Sequence, residues 1–192
     1  MAEIKSALEI ALEKAEKYGR ASKEDMARDQ YRDQGRQFAV NFLKNGEDLA
    51  GALAALPSAA QPEARTAVKE VLLRNIILPR DGEVDPRMAH AVEGLMLAAQ
   101  DRKAMARLKA ELDQILQNFL QVRNSAFQQL KSRFGAGIAQ MQRALEAQMR
   151  QRVQLEVEHL PQFQEEWRKF QGQLLDQFEP MLEACKKRML QA

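Results

Sequence analysis

The chain has 192 residues, 45% of them apolar and 29% charged, with a formal net charge of +2. That is enough to bury one or two small cores, and too evenly charged to single out nucleic acid or anionic lipid as a partner. Leu, Ala, Gln, Glu, Lys, Arg and Met dominate while Val, Ile, Thr, Tyr and Trp are sparse, so helix is favoured over strand in nearly every window and the expected class is all-α.

The charges of Glu3, Lys5 and Glu9 leave no apolar secretion signal at the start, and no later stretch is apolar for long enough to span a bilayer. Cys185 is the single cysteine, so no intrachain disulfide forms. The expected setting is cytoplasmic, without a membrane partner.

A first helix is expected from about Glu3 to Tyr18 on the stripe Ile4, Leu8, Leu12 and Ala15, with Gly19 as its stop. Ser22 followed by Asp25 resembles a capping box and should start a second helix carrying Met26, Phe38, Phe42 and Leu43, which Asn45-Gly46 ends. A short helix near Glu47 to Leu56 is closed by Pro57. Pro62 then sits in the first turn of a helix running to Leu78, with Val68, Val71, Leu72, Ile76 and Ile77 as a broad apolar face. Pro79-Arg80-Asp81-Gly82 is a turn signal, and Asp85-Pro86 caps a helix through Met88, Val92, Leu95 and Met96.

From Asp101 the pattern tightens. Met105, Leu108, Leu112, Ile115, Phe119, Val122 and Ala126 alternate spacings of three and four, and Phe127, Leu130, Phe134, Ile138, Met141, Leu145 and Met149 continue as a second stripe. The stripe passes Gly135-Ala136-Gly137 without slipping, which favours one continuous helix to about Arg150 over a turn there. Val153, Leu155 and Val157 alternate with polar residues before Leu160-Pro161, an extended connector where the chain reverses. A terminal helix follows on Leu160, Phe163, Trp167, Phe170, Leu174, Phe178, Met181, Cys185 and Met189, with Pro180 expected to kink or interrupt it.

Residues 1–100 are thus expected to form a small multi-helix domain. Residues 101–192 are expected to form a coiled-coil-like arm in which the terminal helix folds back antiparallel along the long one. The first six residues of the terminal stripe, Leu160 to Phe178, are the candidate packing or interaction face.

The opening Ala2-Glu3-Ile4-Lys5-Ser6-Ala7-Leu8-Glu9-Ile10-Ala11-Leu12-Glu13-Lys14 and the closing pattern Pro161-x-Phe163-x-x-Glu166-Trp167 together resemble an uncharacterised bacterial family, a domain of unknown function. The resemblance implies a bacterial, cytosolic, helical protein, and it carries over no active-site residue.

No chemistry-bearing constellation emerges. His90, His159 and Cys185 are too far apart for zinc-type spacing, there is no phosphate-binding glycine loop, and no serine lies in a nucleophile elbow. No catalytic residue, metal ligand or cofactor is therefore expected. Between Asp113 and Glu146 there is no acid, while Arg123, Lys131, Arg133 and Arg143 occur among glutamines. This candidate basic face suits an acidic partner or a weak phosphate track. The expected function is non-enzymatic protein–protein interaction or scaffolding, with a second copy or another protein as partner. Weak association with nucleic acid through the basic helix is the alternative.

Overall fold

A computed structural model describes the backbone of residues 7–149 and 156–192, with side chains described for residues 12, 24–135, 137, 138 and 156–192. The described residues are helical and contain no strand. The elements are α1 (Ala7–Asn45), α2 (Leu49–Ala54), α3 (Gln61–Arg74), α4 (Pro86–Ala98), α5 (Arg102–Met149), a single 3-10 turn (Val157–His159) and α6 (Pro161–Gln191). They form two compact units. One gathers the described residues up to Asn75 with Ala89–Arg102 and Ala192, and the other gathers Ile76–Met88 with the described residues of Lys103–Gln191.

In the first unit, α1 passes through Gly19 and Ser22 as one helix of 39 residues, where a stop and a fresh start were expected. Glycine costs a helix interior only about 1 kcal/mol, less than is lost by breaking it. The helix ends at Gly46, whose φ of 68° and N–H bond to the Phe42 carbonyl make a left-handed cap. Asp48 then caps α2 by accepting from the Gly51 N–H at 3.0 Å. Helix α3 begins with Pro62 in its first turn and stops at Arg74 rather than Leu78. Asn75 satisfies the Val71 carbonyl with its side chain, and Leu78, which precedes Pro79, is disfavoured in a helix.

The core of this unit joins α1, α3 and α4. Gly35 lies so close to Ala64 that a Cβ would collide with the α3 backbone, which allows the two helices to approach closely. A Cβ at Gly94 would instead press on the side chains of Phe42 and Leu72. Phe42 stacks on His90 with centroids 4.2 Å apart, and His90 Nε2 donates to the Phe42 carbonyl at 3.0 Å. Arg32 on α1 pairs with Glu70 at 2.6 Å and Glu63 at 3.5 Å on α3. Met26, expected among the apolar residues of a separate second helix, lies within α1 and is 69% exposed.

In the second unit, α5 continues through Gly135-Ala136-Gly137 as one helix of 48 residues, as the unbroken stripe implied. Helix α6 packs antiparallel to it: Cys185 donates to the Leu108 carbonyl at 3.6 Å, Phe119 meets Phe178 edge-on at 5.5 Å, and Phe134 meets Phe163 at 5.8 Å. Pro161 opens α6 after an extended Leu160. The expected extended connector is instead a 3-10 turn at Val157–His159 between extended residues Glu156 and Leu160, while Val153 and Leu155 lie outside the described residues. Pro180 lies inside α6 and does not end it. Segment Ile76–Met88, expected with the N-terminal domain, groups here because the Arg80 carbonyl accepts from Arg123 Nε at 2.9 Å and Gln171 Nε2 at 3.4 Å. Ile76 and Leu78 are buried, but Ile77 is exposed rather than part of a core face.

Candidate interaction face on the paired helices

Along α6 the fully buried side chains are Phe163, Leu174, Phe178, Leu182, Cys185 and Met189. The candidate stripe therefore divides. Phe163, Leu174 and Phe178 are core, whereas Leu160, Trp167 and Phe170 are half-buried. Met181 is 46% exposed and Leu182 takes its place on the inner face. Both spacings from Phe178 satisfy helical periodicity, and only the facing surface of α5 distinguishes them. On α5 the buried residues include Met105, Leu112, Ile115, Leu116, Phe119 and Ile138, while Val122 is 42% exposed.

The aromatic residues cluster where α6 begins. Phe163, 2% exposed, lies edge-on to Phe127 at 5.6 Å and to Phe134 at 5.8 Å. Trp167 meets Phe127 edge-on at 5.0 Å and stacks with Phe170 at 5.7 Å. Edge-to-face pairs of this kind are favourable beyond the area they bury. Only Phe163 is fully sealed. Phe127, Phe134, Trp167 and Phe170 keep part of their surface in water, because two helices facing each other leave their flanks open. One flank is a groove of about 350 Å³ lined by Ala126, Leu130, Trp167 and Phe170 together with the polar Gln129, Arg133 and Glu166.

The candidate basic face is placed differently from the free track its spacing suggested. Lys131 pairs with Glu158, and Arg133 pairs with Glu166 on α6. Lys131, followed by the residue's own backbone N–H, holds the Glu158 carboxyl below its ordinary range. Arg123 lies over the Trp167 ring at 5.4 Å. The side chain of Arg143 lies outside those described. Elsewhere, burial first and then the nearby Glu111 push the Cys185 thiol up, so the cysteine behaves as a small core residue. Among the described residues no His, Cys, Asp and Glu side chains gather as a metal-binding group, and no helix is long and apolar enough to cross a membrane.

The geometry thus defines an all-α protein with an incompletely covered aromatic face on a helix pair. The chain belongs to a family of unknown function (DUF6657), whose model matches residues 50–191. That match includes the Pro161-x-Phe163-x-x-Glu166-Trp167 pattern, while the opening segment around Ala2 to Lys14 precedes it. No curated protein and no solved structure matches the chain.

Proposed function

We propose that this is a non-enzymatic, cytoplasmic protein that works by protein–protein contact, holding or spacing partners through the paired helices α5 and α6. One observation carries the reading: a cluster of large aromatic side chains remains half-exposed beside a groove of mixed lining that includes the Arg133–Glu166 ion pair. Partly exposed aromatic surface with a polar rim is the composition that protein interfaces favour, and Trp is enriched among the residues that dominate binding energy. A second copy of the chain is the first partner to test, and coiled-coil-like packing between copies belongs to the same reading. Association with nucleic acid is the weaker alternative, since two of the basic residues it would use are paired with Glu158 and Glu166.

Sedimentation equilibrium at about tens of micromolar, where moderate self-association registers, should show a mass above the monomer, and Phe170→Asp should return it to monomer while leaving the helical content unchanged. A monomer at that concentration, with no protein co-purifying above background from its host, would overturn the proposal.

A further inference from the structure

A second cavity of the α5–α6 unit lies on the side of the Pro79–Gly82 turn, with a volume of about 350 Å³. Its apolar floor is Phe119 and Leu174, both buried. Arg80, Arg123 and Arg168 line it, together with one acidic residue, Asp81.

Arg123 is held in place before any ligand arrives. Its Nε donates to the Arg80 carbonyl at 2.9 Å, its Nη1 donates to Asn124 Oδ1 at 3.0 Å, and its guanidinium lies over Trp167. Gly82 makes room for it: φ is +94°, and a Cβ there would stand 2.9 Å from the guanidinium carbon. Both constraints call for glycine at the turn. The Nη2 donors of Arg123 have no protein partner among the described residues. Arg168 makes no hydrogen bond or ion pair among the described residues, its charge being felt by Glu165 on the same helix. Arg80 is paired with Glu179 at 3.2 Å and contributes through its backbone.

A fixed guanidinium and a free one over an apolar floor match a small molecule with an oxyanion at one end and a ring or short chain at the other. Guanidinium groups bind phosphate and carboxylate through paired N–H donors, and the cavity volume falls at the lower end of the ~300–1,000 Å³ usual for ligand sites. We propose that this cavity binds a small amphipathic oxyanion, with Arg123 and Arg168 on the anionic group and the apolar part on Phe119 and Leu174. The inference stands independently of the interaction face, whose groove shares no lining residue with this cavity.

Trp167 is the only tryptophan and lies against Arg123, so its emission reports occupancy. The full chain is titrated with phenyl phosphate, benzoate and inorganic phosphate. Phenyl phosphate or benzoate should give a saturable change with a Kd on the order of millimolar or tighter, and the tighter of the two identifies the anionic group. Inorganic phosphate, lacking the apolar part, should bind at least about tenfold more weakly. Arg168→Gln removes an exposed guanidinium that forms no hydrogen bond or ion pair among the described residues and should weaken binding about tenfold. Gly172→Leu grows a side chain from the cavity lining, where a Cβ meets nothing within 4 Å, and should block binding while the helical content is retained. A flat response to both organic anions up to about 10 mM, or affinity unchanged in both variants, would overturn the proposal. Equal affinity for inorganic phosphate and phenyl phosphate would remove the apolar subsite and with it the proposed ligand class.

Discussion

Replacing Phe163 with alanine tests whether the aromatic cluster holds α6 on α5. The side chain is 2% exposed and lies edge-on between Phe127 and Phe134, seven residues apart on one face of α5. Truncating a buried phenylalanine costs roughly 3–5 kcal/mol, the spread reflecting how far the surroundings collapse into the space. Phe127 and Phe134 are only half-buried and have freedom to close in, which places the loss near the lower end, at about 3 kcal/mol. With a urea m-value of roughly 2 kcal/mol/M the midpoint should fall by about 1.5 M. Trp167 touches Phe127, so its emission follows the unit that contains the change. Phe170→Ala, at a half-buried ring, should lower the midpoint by less than half as much. A shift below about 0.5 M for Phe163→Ala, or equal losses for the two variants, would show that burial at this cluster does not set the stability of the pair.

Gly35→Ala should destabilise by about 1–3 kcal/mol, because the added methyl meets the Ala64 backbone and not a movable side chain. Gly135→Ala and Gly137→Ala should each stabilise by up to about 1 kcal/mol, since a Cβ at either position meets nothing and the helix is continuous; thermal denaturation monitored by circular dichroism separates the signs. Lys69 is 4% exposed, and burial first, then Arg65, lowers its ammonium pKa from 10.5. The folded state therefore disfavours the charged form: the penalty is complete below the folded pKa and is relieved as pH rises from there toward the unfolded value. Lys69→Met should accordingly raise the denaturation midpoint at neutral pH, with the advantage shrinking under alkaline conditions, and a constant difference across pH would contradict this. Cys185 should resist a thiol reagent in the native protein and react readily in denaturant, because it is fully buried with its thiol raised by burial.

Periodicity makes the helices legible, but a glycine inside a periodic stretch is a stop only where the apolar stripe also breaks. At Gly135 and Gly137 the stripe ran on without slipping, which favoured a continuous helix. Gly19 has the residue type of a stop, but a helical glycine costs about the same anywhere, and α1 runs through it. The choice between Met181 and Leu182 lay beyond periodicity, since either completes the face after Phe178. The arginine cavity was illegible for a different reason. Arg80, Arg123 and Arg168 belong to a turn and two helices far apart in the chain, and the contact that brings them together is made by the Arg80 backbone carbonyl, a group every residue possesses. The one local clue was Gly82, which the turn signal already required.

The acid-free run of α5 shows how a charge pattern changes meaning once its neighbours are placed. Taken alone, Arg123, Lys131 and Arg133 are cations without a local counter-charge, which is how a partner-binding stripe looks. Their complements lie 27 residues beyond Lys131, at Glu158, and on the facing helix, at Glu166. Antiparallel pairing of a cation-bearing helix with an acid-bearing one favours a single alignment, because sliding α6 by one turn would separate these pairs and at the same time shift Phe163 off Phe127 and Phe134. Exposed ion pairs add little to stability, so their contribution is to register, with the aromatic rings supplying the energy. Arg123 is the exception: it lies over an aromatic ring and bonds a backbone carbonyl, and it forms no ion pair among the described residues. A guanidinium fixed in place without a paired carboxylate retains the capacity to bind an anion from outside the fold, which separates it from the two basic residues whose charge the protein already uses.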